Sequence, residues 1–292
     1  MTMSLDNEIN LIGIDLGGTK INAGLVVGDK IIDKCYELIP QNTENEWDLI
    51  NLIIDLIKDL LSRNEAAGIG IGVPSILNRE KGIVYSVQNI PSWKEVHLAD
   101  ILTKEFGIPV FLDNDANCFA LGEYQFGLGK NCKNMVGLTI GTGMGAGIIT
   151  NGHLMSDANG GAGEFGMIQY KDGIFEDYCS GKFFKNHYNL SGEALLDLAN
   201  QGNTEALEAF EEFGRHLGNA IKAIMYAVDP QKIIIGGSVV KSAKYFDKSL
   251  KQTIREIDYD ILLENFEIIY SNTPDIAIMG AISLYYDRMS IV

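Results

Sequence analysis

Asp115 sits at a junction where a carboxylate could do acid–base work. It follows the apolar run Pro109-Val110-Phe111-Leu112, and helical character begins near Ala116. The C-terminal end of a strand in an α/β sheet is where ligands bind, and a helix N-terminus favours the ionised form of a carboxylate. An ionised Asp there can take the proton of a substrate hydroxyl as its oxygen attacks a γ-phosphorus. Asp113, Asn114 and Asp115 all suit a helix N-cap. Three such residues exceed what one cap needs, and Asp115 is read as the base. Asp15 ends a second apolar run, just before Gly17-Gly18-Thr19-Lys20. It either brings Mg²⁺ to bound phosphates or caps the turn through its own backbone. Glu164 follows a glycine-rich loop and Glu176 precedes Asp177-Tyr178-Cys179-Ser180-Gly181. Each carboxylate can accept two hydroxyl hydrogen bonds from a polyol, although most glutamates are simply solvated.

A glycine-rich turn between apolar strands occurs twice. Leu11-Ile12-Gly13-Ile14-Asp15-Leu16-Gly17-Gly18-Thr19-Lys20 runs into Ile21–Val27, and Val136–Ile140 with Gly141-Thr142-Gly143-Met144-Gly145 runs into Ile148–Thr150. Glycine lets backbone N–H groups approach an anion unobstructed. Two such hairpins in matched context suit the phosphates of a nucleotide. The chain has no G-x-x-x-x-G-K-[ST] loop. Gly141-x-Gly143-x-x-Ala146 fits the Rossmann fingerprint loosely, but that motif opens a helix, and here a returning strand follows.

The elements that must carry these residues are legible from periodicity. Cys35–Ile39 reads as a strand, Thr43-Glu44-Asn45-Glu46 has capping-box spacing, and Ile50, Ile53, Ile54, Ile57, Leu60 and Leu61 mark a helix with one buried face. Ile69–Val73 is a buried strand ended by Pro74, and the strand at 109–112 stops at Asp113. Thr204–Val228 is a long helix ended by Pro230. Lys232–Ile235 is a strand closed by Gly236-Gly237, and 276–286 is the last helix. Strands come early in each half and helices later, which predicts an α/β protein with an internal duplication.

With 292 residues the chain is long enough for two domains. A net charge of −16 disfavours a nucleic-acid partner. The N-terminus lacks the basic and apolar regions of a signal peptide, and no stretch is apolar enough to span a bilayer. Cys35, Cys118, Cys132 and Cys179 are scattered without a C-x-x-C pair, pointing to a reduced, cytoplasmic protein. His97, His153, His187 and His216 lack metal-ligand spacing and read as surface or satisfied core residues.

In combination the segments resemble the ROK family of sugar kinases and sugar-responsive repressors. Asp15-x-Gly17-Gly18-Thr19-Lys20 is similar to its first phosphate motif and Gly141-Thr142-Gly143-x-Gly145-x-Gly147 to its second. Gly72-Val73-Pro74-Ser75 and Asn89-Ile90-Pro91-Ser92-Trp93 resemble its sugar-contacting loops, and Asp113-Asn114-Asp115-Ala116-Asn117 its catalytic segment. Gly163-Glu164-Phe165-Gly166 and Glu176-x-Tyr178-x-Ser180-Gly181 resemble its sugar signature, Ile235-Gly236-Gly237 its adenosine turn, and Met279-Gly280-Ala281 its closing helix.

The resemblance implies an actin-like ATPase fold of two lobes: a small lobe of residues 1–116, rejoined by 279–292, and a large lobe of 117–278. It implies ATP- and Mg²⁺-dependent phosphorylation of a hexose at its 6-hydroxyl, with Asp115 as base. Ser75, Asn89, Asn114, Asp115, Glu164, Met167 and Glu176 would line the sugar. Asp15, Gly17, Gly18, Thr19, Lys20, Gly141, Thr142, Gly143, Gly236 and Gly237 would hold the nucleotide, and Asp15 the Mg²⁺ through water. It also implies a homodimer. The family's zinc-binding histidine after Gly-Glu-Phe-Gly is here Met167, and its cysteine cluster is replaced by Gln169–Phe175, so no zinc site is expected. Met167 removes a polar contact near the anomeric side, which opens an N-acetylmannosamine or N-acetylglucosamine kinase as the alternative. A sugar-sensing transcriptional regulator is the further alternative. Only 14 residues precede Asp15, too few for a DNA-reading winged helix in front of it.

Overall fold

The computed structural model describes residues 9–40, 45–87 and 90–289; Thr43, Glu44 and Asn89 lie outside them. In chain order come β1 (Asn10–Leu16), β2 (Lys20–Val27), β3 (Lys30–Leu38), α1 (Glu46–Leu61), β4 (Gly68–Val73), the short β5 (Ile76–Asn78), β6 (Ile83–Tyr85) and β7 (Glu95–Val96), α2 (Leu98–Phe106), β8 (Val110–Asn114) and α3 (Asp115–Gln125). After these come β9 (Met135–Ile140), β10 (Met144–Thr150), β11 (His153–Leu154), β12 (Gln169–Tyr170), β13 (Gly173–Ile174), α4 (Phe175–Cys179) and α5 (Gly181–Tyr188). The chain ends through α6 (Gly192–Asn200), α7 (Thr204–Val228), β14 (Lys232–Gly236), α8 (Ala243–Ile254), β15 (Glu267–Tyr270) and α9 (Ile276–Met289). They form two compact units, one of Met1–Lys130, His153–Ala162 and Thr273–Val292, the other of Asn131–Gly152 and Gly163–Asn272.

The first unit is built on a five-stranded sheet in the order β3-β2-β1-β4-β8. β1, β2 and β3 pair antiparallel, while β4 joins β1 and β8 joins β4 in parallel. The first turn is closed by the Gly17 N–H donating to Lys20 O at 2.9 Å. The β2–β3 turn uses Gly28 at φ 60, a left-handed backbone that glycine adopts without strain. Helix α1 buries Leu49, Ile50, Ile53, Ile57 and Leu60 against this sheet. Its capping box is Asn45 with Asp48 rather than the expected window from Thr43 to Glu46: the Asn45 side chain accepts the Trp47 N–H, and Asp48 accepts the Asn45 N–H.

Helix α9 lies with its backbone directly against this sheet. A Cβ on Gly13 would meet Ile278 O at 2.3 Å, and one on Gly70 would meet Ala281 O at 1.9 Å. Gly280 faces α3 just as closely, since a Cβ there would sit 1.7 Å from Cys118 O. Glycine at these crossings lets the helix approach beyond what any side chain permits. Strand β8 continues through Asp113 and Asn114, past the stop expected at Asp113, because both residues keep pairing with β4 at Gly72 and Val73. Helix α3 therefore starts at Asp115 itself.

The second unit repeats the pattern. β10 pairs antiparallel with β9, β14 runs parallel to β9, and β15 runs parallel to β14. The order β10-β9-β14-β15 matches β2-β1-β4-β8, which is the duplication expected from the paired glycine turns. Helix α7 spans Thr204–Val228 as its periodicity predicts, capped by Asn203 and ended at Asp229 in the left-handed region before Pro230. Among the described residues no helix is long and apolar enough to cross a membrane.

Candidate active site

In the first unit the strand register gathers the acidic residues. Asp15 pairs with Gly72, and Gly72 pairs with Asp113, so three strand ends form one row. The triplet that follows divides its work. Asp113 is 1% exposed and forms an ion pair with Arg79 Nε at 2.7 Å; Asn117 Nδ2 donates to its other oxygen at 2.7 Å. Burial raises its pKa, against the Arg79 charge and the hydrogen bonds it accepts. Asn114 is the N-cap, accepting the Ala116 N–H at 2.9 Å, and its Nδ2 donates to Ser75 O at 3.3 Å. Asp115 opens α3, half-buried, with Oδ1 accepting the Ala116 N–H at 2.9 Å. A Cβ at Gly72 would lie 3.5 Å from the Asp115 Cα and 3.1 Å from Cys118 Sγ. Asp113, Asp115 and Asp15 all act on the Cys118 thiol, whose pKa is raised first by burial and then by these charges. The charges of all three carboxylates thus reach one buried thiol. The Ser75 hydroxyl donates to Tyr85 O, so the Gly72–Ser75 loop is tied to the β5–β6 hairpin.

Asp15 lies on β1 beside Asn22 of β2, whose Nδ2 donates to Asp15 Oδ2 at 3.4 Å. Burial raises the Asp15 pKa and the charge of Asp275 adds to it, while the Asn22 hydrogen bond and the Lys20 charge pull it down. A buried carboxylate short of compensating charge suits a cation. Among the described residues no group of three or more His, Cys, Asp or Glu could hold a metal ion by itself. Mg²⁺ needs only one or two carboxylates, with phosphates and water completing its shell, so Asp15 fits it. Gly18 and Thr19 are exposed at the turn, and Lys20 Nζ sits 4.1 Å from the Tyr36 ring centroid.

In the second unit the glycine turn borders a cavity of about 760 Å³ lined by Gly141, Thr142, Gly181, Lys182, Lys185 and Ser238, among others. The Gly141 N–H donates to Gly143 O at 3.0 Å, and Gly141 O accepts the Gly181 N–H at 2.7 Å. That second bond brings the N-terminus of α5 to the turn, where its dipole favours an anion. Gly237, at φ 89, closes β14; a Cβ there would strike Ile140 O at 2.3 Å. Gly236 pairs with Thr139 on β9, and Ser238, the residue after Gly237, lines this cavity.

Glu176, expected at the sugar, has both oxygens engaged within the unit. Oε2 accepts the Met144 N–H at 2.9 Å, and Oε1 pairs with Lys182 Nζ at 2.6 Å. Its neighbour Glu164 is exposed as a residue, yet partial burial of its carboxyl raises its pKa, and the Glu176 charge adds to the rise. Met167, on a 3-10 turn, is 60% exposed. Arg79, Asn22 and Lys182 escaped the sequence reading. Lys182 alone carried a local signal, following Ser180-Gly181 at the start of a helix; the other two are defined by strand pairing and burial.

The ROK family model matches residues 11–288. A glucokinase of Thermotoga maritima is 31% identical over 315 residues, covering 97% of this chain and 99% of the glucokinase. A xylose repressor of Bacillus spizizenii is 29% identical over 283 residues, covering 89% of this chain and 72% of the repressor. The solved ROK family protein of Streptococcus pneumoniae in complex with sucrose superposes with a TM-score of 0.82 at 26% identity, covering 97% of this chain and all of that one. The two units carry the duplicated sheet of the actin-like ATPase fold, and the chain belongs to the ROK family.

Proposed function

We propose that this protein transfers the γ-phosphoryl group of ATP to the 6-hydroxyl of a hexose, with Asp115 as general base. The observation that carries this reading is the placement at 113–115: Asp113 is buried against Arg79, Asn114 caps α3, and the half-buried Asp115 opens that helix beside the Asp15–Gly72 row. The Thermotoga maritima relative's name, glucokinase, points the same way and makes glucose the first sugar to try. Asp115 takes the hydroxyl proton, which sharpens the attacking oxygen. Mg²⁺, when bound, offsets charge on the transferring phosphoryl group, and Asp15 with Asn22 beside it would hold its water shell. The Gly141–Gly143 turn, the α5 N-terminus and Lys182 receive the nucleotide phosphates, and Gly236-Gly237 backs the adenosine. Ser75, Asn114, Glu164 and Met167 orient the sugar.

Glu176 is assigned to holding the glycine turn, on the strength of its two short contacts. An ADP-release assay with ATP and Mg²⁺ across glucose, mannose, fructose, N-acetylglucosamine and N-acetylmannosamine tests the reading. Turnover with a plain hexose is the expected result. Preference for an N-acetylated sugar would move the substrate to that alternative, and nucleotide turnover indifferent to every sugar would refute the kinase.

A further inference from the structure

His216 on α7 is the hub of a network that the kinase reading leaves unused. Its side chain is 5% exposed. Nδ1 lies 3.1 Å from Tyr170 Oη, and Nε2 lies 3.3 Å from Glu212 Oε1 and 3.4 Å from Lys171 Nζ. Asn219 Nδ2 donates to the same Tyr170 oxygen at 3.2 Å. One assignment accounts for the Asn219, Tyr170 and Glu212 contacts: Asn219 donates to Tyr170, the Tyr170 O–H donates to Nδ1, and Nε2–H donates to Glu212, with the Lys171 ammonium lying beside Nε2 without bonding it. The imidazole is then neutral. Burial and the Lys171 charge act in the same direction, lowering its pKa.

The network grips the segment before Glu176. The Tyr170 ring stacks on Phe175 at 4.5 Å and 21°, and packs edge-on to Tyr178 at 5.4 Å. The Tyr178 O–H donates to Asp172, and Asp177 accepts the Ile174 N–H at 3.2 Å. Hairpin β12–β13 and the start of α4 are thereby fastened to α7. Glu176 is the next residue of α4, and a Cβ on Gly143 would lie only 2.7 Å from its Oε2. A shift of α4 is therefore a shift of the glycine turn.

We propose that the His216–Tyr170 network positions the nucleotide-binding turn, acting through α4 and the Glu176 carboxylate on the Met144 peptide. Its effect on turnover rests on the kinase reading; its effect on the turn does not. The test is hydrogen exchange of the Met144 amide in the full chain without ligand. Tyr170→Phe, which keeps the stacking ring, and His216→Gln are each expected to speed exchange at Met144 about fivefold, the loss of one hydrogen bond's net worth. The same variants raise the KM for ATP while kcat changes little. Tyr170→Phe adds nothing in a Glu176→Gln background, because both act along one path. Ser249→Ala, on α8 in the same unit, serves as control and leaves Met144 exchange unchanged. Unaltered Met144 exchange in Tyr170→Phe, or fully additive effects with Glu176→Gln, would overturn the proposal. A wild-type protein without phosphoryl transfer would refute the kinase reading and leave the exchange result to decide this one.

Discussion

Single residues divide here into those whose role follows from type and neighbours in sequence, and those whose role depends on a distant partner. Asp113-Asn114-Asp115 could be located as a chemical segment from the apolar strand before it and the helix after it. The three could not be sorted fully, because the partner that fixes Asp113 is Arg79, in the turn of the β5–β6 hairpin. Glu176 shows the same limit: its lysine was nearby in sequence, but the Met144 N–H was not. Asp15 carries the sharpest single-residue prediction. Its raised pKa means that, without a cation, Asn22 and Lys20 do not fully offset the burial of its carboxylate, so its charge costs stability at neutral pH. Asp15→Asn is expected to raise the melting temperature without Mg²⁺, by about 2 °C per kcal/mol relieved, while cutting Mg²⁺-dependent turnover by about 10² or more. Calorimetry beside a turnover assay checks both. A lower melting temperature with retained turnover would return Asp15 to a turn-capping role.

At the scale of elements, the two glycine hairpins, helix α1 and the long helix α7 were legible because apolar periodicity and turn chemistry act locally. The segment from β12 to α4 was not, since it is short and held by ring contacts to α7 rather than by its own propensity. The seating of α9 lay between these cases. Its Gly280 was visible in sequence, but the reason for it is a carbonyl of α3 that a Cβ would strike. Gly280→Ala is expected to cost about 2–3 kcal/mol through overpacking, lowering the melting temperature by about 4–10 °C. Gly28→Asn, in the open β2–β3 turn at φ 60 with nothing within 4 Å of a Cβ, is expected to stay within about 1 kcal/mol of the parent. Thermal melts of the two variants side by side check the contrast. Equal losses would mean that α9 relaxes away from α3 at little cost.

Across the whole molecule the duplicated sheet was legible from the repeat of one glycine turn, whereas the grouping of residues into units was set by packing. Stability against pH is a property at this scale. His216 is held neutral in the fold with a lowered pKa, so the unfolded chain binds its proton first as pH falls. Its contribution is complete above about pH 6.5 and is lost as pH drops below that value. Asp15 and Asp113, whose pKa values are raised, act in the opposite sense at lower pH. The His216 part is isolated by comparison with His216→Gln, whose melting temperature is expected to vary less between pH 7 and pH 5.5. Parallel curves would show that His216 does not titrate within the fold.

The central claim is that Asp115 removes the proton from the attacking hydroxyl. Its most direct measurement is steady-state phosphoryl transfer by Asp115→Asn on the sugar the wild type prefers, alongside ATP and sugar affinity. The expected result is a kcat lower by about 10²–10⁴ with affinities nearly unchanged. Turnover close to that of the wild type would contradict the account.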